Sequence, residues 1–199
     1  MPAVLPRRAI AEDLAALPSH VSAEIVAGAL VPLPLPSFQH EDVLAVLTEQ
    51  LAPFRSRRAG KPGGWWMSSA IDVELEPHEV YCPDLAGWRW ERQPSRPTRS
   101  PVRARPDWLA EVVSPGTSRR DRVDKLRVSH RCGVPHYWIL DPAERCLHAY
   151  TWHMQGYLLT TVAADEERVR VPPFEGVVLA LGELFGAPAR APVELGSAG

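Results

Sequence analysis

The segment 106–141 carries the strongest hydrophobic pattern in the chain and predicts a strand, a helix and a second strand. Residues 108–113 (WLAEVV) and 134–142 (VPHYWILDP) are apolar runs, typical of strands buried on both faces. The stretch 118–132 between them predicts a helix that Gly133 would end.

Shorter patterns predict the remaining elements. They are a helix at 10–18, a hairpin at 23–36 turning at Ala27 and Gly28, a helix at 37–54 capped by Ser37, a strand at 65–75, a strand-like segment at 79–90, a hairpin from 145–152 and 155–163, and a short strand and helical turn within 168–185. Alternating prolines at 32, 34 and 36 suit an edge strand in the first hairpin, because proline cannot donate to a sheet.

The composition is that of a soluble globular protein, with 199 residues, 45% of them hydrophobic and 23% charged. This length predicts one domain, at 20–185, between a tail with a short helix at 1–19 and a disordered tail at 186–199. The three cysteines show no metal or disulfide spacing, and no apolar run is long enough for a membrane span or signal peptide. We therefore expect a cytoplasmic protein without a membrane partner.

A single carboxylate, Glu111, interrupts the apolar strand at 108–113. An ionised carboxylate in such a strand is costly unless it is paired, bound to a metal or at the sheet edge. Glu111 is therefore a candidate functional residue. The alternative is a salt-bridged glutamate at the end of a strand.

A second carboxylate, Asp84, follows Pro83 in the segment 79–90. If this segment lies beside the strand of Glu111, the two carboxylates would point to the same place and repel each other. A divalent cation relieves such repulsion, and ligands that are all oxygen suit Mg²⁺ or Mn²⁺.

Lys125 supplies a positive charge close to this pair of acids. Ser118 and Asp121 form a variant capping box at the start of the predicted helix, and Asp121 and Lys125 share one helical face. Alone, Asp121 and Lys125 would be an ordinary surface ion pair. Beside Asp84 and Glu111, an ammonium group is what a site that cleaves phosphate esters would use.

Four motifs together resemble the Uma family of bacterial restriction-endonuclease-like proteins, within the PD-(D/E)xK nuclease superfamily. They are PD at 83–84, PDWLAEVVSP at 106–115, D-x-x-x-K at 121–125 and GVPHYWILDP at 133–142. The resemblance covers about residues 20–185. It implies a restriction-endonuclease-like α/β (α+β) core, with a central mixed sheet flanked by helices, an N-terminal hairpin and a divalent-metal site.

Carried over to this sequence, the resemblance assigns the first acid to Asp84, the second acid to Glu111 and the lysine to Lys125. A backbone carbonyl beside Glu111, that of Val112, would complete the metal ligands. His40 stands where the family often has a histidine near the active site, and would be an accessory catalytic group. The alternative for His40 is a local hydrogen bond in the first turn of its helix.

Three positions depart from the family pattern. Val113 stands where the superfamily usually has its lysine, Ser129 stands where the family usually has a tyrosine, and His136 stands where it usually has a glutamate. We expect Ser129 and His136 to lie near the site. These changes keep open a second hypothesis, a nucleic-acid-binding module of the same fold with weakened catalysis.

An arginine-rich stretch at 88–106 separates the two acid-bearing segments and contains a single acid, Glu91, before Pro106. Its arginines are Arg89, Arg92, Arg96, Arg99, Arg103 and Arg105. Arginines with the neighbouring Trp88 and Trp90 suit phosphate contacts and base stacking, although a solvated connection has the same composition. The net charge of −2 does not by itself indicate a nucleic-acid binder, but a local basic patch is compatible with it.

The sequence therefore predicts a Mg²⁺- or Mn²⁺-dependent endonuclease that acts on nucleic acid, with DNA as the expected substrate. A homodimer would suit cleavage of both strands. The third hypothesis is a structural subunit of a homo-oligomer in which the acids are merely paired.

Overall fold

The computed structural model describes residues 7–57, 60–114 and 119–186, which fold into three β-sheets and short helices. The strands are β1 Ala23–Val26, β2 Ala29–Pro32, β3 Trp65–Ser69, β4 Val73–Glu76, β5 Glu79–Tyr81, β6 Leu85–Arg89, β7 Trp108–Val112, β8 His136–Asp141, β9 Cys146–Thr151, β10 Leu158–Ala164, β11 Arg168–Val169 and β12 Leu179–Ala180. The helices are α1 Ala11–Ala15, α2 Phe38–Gln50, α3 Ala52–Arg55, α4 Leu126–Arg131 and α5 Leu181–Leu184, and a π-helical segment, Arg120–Lys125, runs directly into α4.

The largest sheet has six strands in the order β10-β9-β8-β7-β6-β3. Strands β7 and β8 are parallel, with Glu111 opposite Ile139, and the other pairs in this sheet are antiparallel. Parallel neighbours need a crossover connection, which here contains the π-helical segment and α4. The central mixed sheet with flanking helices confirms the predicted fold class.

A second sheet of four strands, in the order β2-β1-β5-β4, begins with the predicted N-terminal hairpin. Ala27 and Gly28 form its two-residue turn with φ angles of 51° and 82°. Both lie in the left-handed region that two-residue hairpin turns require. Strand β2 is at the edge of this sheet, as its prolines predict.

The six-stranded sheet has an apolar cluster on each face, because successive side chains of a strand point to opposite sides. Trp108, Ala110 and Val112 of β7 pack with α2 and with Phe174 on one face. Leu109 packs on the other face, in a cluster that also contains Trp88, Tyr137 and Ile139. By this alternation Glu111 points to the same face as Leu109.

The prediction of one continuous strand at 65–75 is wrong. Strand β3 pairs with β6 in the large sheet, whereas β4 pairs with β5 in the small one. The chain changes sheets at Ala70, whose φ of 48° no extended strand can accommodate. The segment 79–90 likewise divides into β5 and β6, and it crosses between the sheets at Cys82–Asp84.

Several predicted features lie outside the described residues. The cap at Ser118, residues 1–6 and most of the C-terminal tail at 186–199 are among them. Residues 7–9 are described and lie against the hairpin, where the Ala9 N–H donates to the Gly28 carbonyl over 2.8 Å. No helix in the described part of the chain is long and apolar enough to span a membrane.

Candidate active site

A cavity of about 530 Å³ lies beside the point where the chain crosses from the small sheet to the large one. The predicted site residues that line it are His40, Asp84, Glu111, Val112 and Lys125. Strands β6 and β7 are neighbours, with Leu85 opposite Ala110, as the convergence of Asp84 and Glu111 requires. The structure therefore brings these five residues together around one space.

Asp84 directly precedes β6 and is held by contacts to both of its carboxylate oxygens. The Val112 N–H donates to Oδ2 over 2.7 Å, and His40 Nε2 lies 3.1 Å from Oδ1. The hydrogen bond to Asp84 raises the pKa of His40, although partial burial acts in the opposite direction. His40 is thus placed in α2 as a hydrogen-bonded partner of Asp84.

Glu111 lies in the middle of the sheet and is 3% exposed. Burial is the largest cause that raises its pKa, and the carboxylates of Asp121, Asp84 and Glu24 raise it further. The charge of Lys125 acts against this rise. Glu111 therefore lies where its negative charge requires a nearby cation.

Lys125 is 3% exposed and is the cation at the centre of the buried acids. Its Nζ lies 2.8 Å from Glu24 Oε1, 3.0 Å from Glu111 Oε1 and 3.4 Å from Asp121 Oδ1. Burial favours the neutral amine, but the three carboxylates outweigh it and raise the pKa of Lys125. Lys125 therefore stays charged, and the predicted shared helical face of Asp121 and Lys125 is confirmed.

Glu24, in β1, is a member of this cluster that the sequence reasoning missed. It is fully buried, its Oε1 accepts the Cys82 N–H over 2.9 Å, and its Oε2 lies 3.2 Å from Arg120 Nε. A signal for it was present, because Glu24 is the one charge in the run AEIVAGALV (23–31). The argument that singled out Glu111 applies equally to this run.

The six predicted nucleic-acid-binding arginines are not among the described residues that line the cavity. Arg92 lies 2.7 Å from Asp107, and Arg103 lies 2.8 Å from Glu74. The guanidinium of Arg89 covers the ring of Trp65, with 4.9 Å to the ring centroid. The remaining three are exposed, and they are Arg96, Arg99 and Arg105.

Comparison with known families adds to this geometry. Residues 11–182 match the family model Uma2, which is described as "Putative restriction endonuclease". The chain belongs to the Uma2 family. This confirms the resemblance drawn from the motifs, and it identifies the chain as a member of a nuclease family.

A solved structure shares the fold of this Uma2 chain. It is a crystal structure from Anabaena variabilis ATCC 29413, described as a putative nuclease belonging to DUF820. The TM-score is 0.66 with 21% sequence identity, over 89% of this chain and 97% of that one. No curated protein matches the chain.

The departures from the Uma2 pattern lie at different distances from the cluster. Ser129 is one helical turn after Lys125 and fully buried, and its hydroxyl has no hydrogen-bond partner among the described residues. His136 lies opposite Trp108 in the neighbouring strand β7. Trp108 is three residues before Glu111, and this spacing is roughly 10 Å along a strand. The expectation that His136 lies near the site is therefore wrong.

The donor chemistry at the Uma2 cavity fits Mg²⁺ or Mn²⁺, because the candidate ligands are all oxygens. Each carboxylate oxygen has two lone pairs, so Asp84 can bind a cation and still accept from Val112. Within residues 7–57, 60–114 and 119–186, no three His, Cys, Asp or Glu side chains are arranged to hold a metal. The acids Glu24, Glu111 and Asp121 instead converge on Lys125, so a metal would rely on Asp84, Glu111 and the Val112 carbonyl.

Proposed function

We propose that this chain is a metal-dependent endonuclease that hydrolyses phosphodiester bonds of DNA. The observation that carries the proposal is the arrangement of Asp84, just before β6, and Glu111, in the adjacent β7, which line one cavity beside the charged side chain of Lys125. The family description as restriction endonucleases supports DNA as the substrate.

Asp84, Glu111 and the backbone carbonyl of Val112 would hold the metal. When bound, Mg²⁺ or Mn²⁺ supplies a coordinated water of lowered pKa and offsets the charge of the scissile phosphate. Glu111 is kept in position by its contact of 3.0 Å with Lys125, and Asp84 is kept in position by the Val112 N–H. Both ligands are therefore oriented before any substrate enters.

Lys125 and His40 would act as basic groups at the cavity, which Arg120 also lines. The ammonium of Lys125 would orient the attacking water or stabilise the pentacovalent phosphate. His40, 3.1 Å from Asp84, would fix the orientation of that carboxylate and act as an accessory group. Carboxylates alone would repel a phosphate, so positive charge at the cavity would favour its approach.

Nicking of supercoiled plasmid in Mg²⁺ or Mn²⁺ tests this proposal. We expect the wild type to nick the plasmid and Asp84→Asn to lose about 100-fold or more of the rate. The matched control is Asp42→Asn, an exposed aspartate of α2, which should nick like the wild type. Equal nicking by Asp84→Asn and the wild type would refute the assignment of Asp84.

A binding module without turnover is the second candidate, and the state of Lys125 favours it. An ammonium group has three N–H donors, and here three carboxylates lie within 3.4 Å of it. The ammonium is thus surrounded by acids before a phosphate arrives. Metal and DNA binding without any nicking by the wild type would establish this second function.

A further inference from the structure

Two shallow grooves continue the cavity along the outer edge of β3, the last strand of the six-stranded sheet. Ser69 lines both the cavity and the first groove. Met67 and Ser68 line the first groove and also the second. Ser69 pairs with Leu85, next to Asp84, so the grooves lead away from the candidate active site.

The charge of these grooves is positive. Arg55 and Arg96 line both of them, and both side chains are exposed. No carboxylate is among the described residues that line either groove, although the whole chain has a net charge of −2. This differs from Arg92 and Arg103, which have carboxylate partners, and it leaves a basic strip on an otherwise weakly acidic protein.

Aromatic rings lie at the far end of the same strip. The rings of Trp66 and Trp90 are 5.4 Å apart at an angle of 50°, and the guanidinium of Arg57 lies 4.6 Å and 5.2 Å from their centroids. Trp66 is fixed by a hydrogen bond of 3.0 Å from its Nε1 to the Gln93 carbonyl. Both tryptophans are partly exposed.

We propose that this β3 edge surface, formed by Arg55, Arg57, Trp66, Trp90 and Arg96, binds a single-stranded segment of nucleic acid that leads out of the cavity. The proposal deepens the proposed function and rests on it. Arginines that follow the phosphates and aromatic rings that stack on bases are the means by which proteins hold single strands. A duplex keeps its base faces stacked inside, so Trp66 and Trp90 could not stack on them.

The spacing along β3 suits this path. Trp66 is three residues from Ser69, or about 10 Å along an extended strand. A strand whose phosphate lies at Asp84 would thus pass Arg55 and Arg96 before its bases reach Trp66. The surface therefore holds the strand beside the scissile bond and not at the bond itself.

The test is fluorescence anisotropy with a labelled oligothymidylate, and with a duplex of the same length, in EDTA so that binding is measured without cleavage. We expect Arg55→Ala/Arg96→Ala to bind the single strand about tenfold more weakly, with a less steep salt dependence. Trp66→Leu should also lose about tenfold for the single strand and little for the duplex. The matched control, Arg127→Ala/Arg168→Ala, removes two exposed arginines elsewhere and should bind within about twofold of the wild type.

Three results would overturn the proposal. They are equal binding by the groove variants and the wild type, equal losses in the groove and control variants, and no binding by the wild type. If the wild type does not bind the oligonucleotide and self-associates as its concentration rises, the β3 edge surface would instead be assigned to contact with a second copy of the protein. If the wild type nicks plasmid but the groove variants bind oligonucleotide as tightly as the wild type, only this surface is refuted. If the groove variants lose binding but the wild type does not nick plasmid, only the proposed nuclease activity is refuted.

Discussion

The ammonium nitrogen of Lys125 lies 2.8 Å from a carboxylate oxygen of Glu24, and this contact joins the N-terminal hairpin to the helix that follows β7. Both side chains are buried. The small sheet is thereby part of the candidate active site, because it supplies one of the three acids around the lysine. Removing this acid should affect both stability and cleavage.

We predict that Glu24→Gln weakens both properties without unfolding the protein. The amide keeps the size of the side chain but loses its charge beside Lys125 and Arg120, at a cost of about 1–3 kcal/mol in the free energy of unfolding. Lys125 would then be held less firmly, and nicking should fall about tenfold. Urea unfolding and plasmid nicking measure the two effects. Glu49→Gln, at an exposed position of α2, is the control and should change neither.

Lys125→Met should be more severe than Glu24→Gln. It leaves Glu24, Glu111 and Asp121 buried without their shared cation, which costs about 3–5 kcal/mol in the free energy of unfolding. We also expect nicking to fall about 100-fold, because Lys125 is the single buried lysine among the described residues that line the cavity. Thermal melting and nicking assays would show both changes.

A second variant separates the catalytic role of Lys125 from its structural role. Val113 is two residues after Glu111 and therefore points to the same face of the sheet, where the superfamily usually has its lysine. Adding Val113→Lys to Lys125→Met should recover about tenfold of the lost nicking rate. A folded double variant as inactive as Lys125→Met would argue that Lys125 acts only through the packing of the acids.

The sequence predicted the central part of the site because its signals are local. A lone acid in an apolar run marked Glu111, the Pro83–Asp84 pair marked the other acid, and helical spacing joined Asp121 to Lys125. The neighbouring positions of β6 and β7 confirm that the two acid-bearing strands are adjacent. The cost of burial and helical periodicity were sufficient for Glu111 and Lys125, whereas Asp84 was found from the Pro-Asp pair.

The rest of the site depends on tertiary contacts that no local pattern specifies. The two changes of sheet, at Ala70 and at Cys82–Asp84, bring β1 next to β5, so that Glu24 faces a helix far from it in sequence. Ala70 carries a left-handed conformation without a glycine to indicate it. The sequence therefore has no glycine at this position to indicate that the segment 65–75 divides into two strands.

His136 should make the stability of the protein depend on pH. Burial lowers the pKa of His136 to about 4, and the positive charge of Arg89 acts in the same direction. The unfolded chain therefore binds more protons between about pH 4 and 6.5, and stability rises with pH across this window. His136→Gln should remove about 1 kcal/mol of the difference between pH 5 and pH 7, after allowance for the exposed part of the ring. Urea unfolding at both pH values measures this, and an unchanged difference would contradict it.

Calorimetric titration of Mn²⁺ into the wild type and into Glu111→Gln tests the central claim most directly. The amide preserves the shape of the side chain and removes one metal ligand, so we predict binding by the wild type and about tenfold or greater weakening in the variant. The circular dichroism spectra of the two proteins should agree. Equal Mn²⁺ binding by both proteins, or no binding by the wild type even with an oligonucleotide present, would contradict the assignment of Asp84 and Glu111 as a metal site.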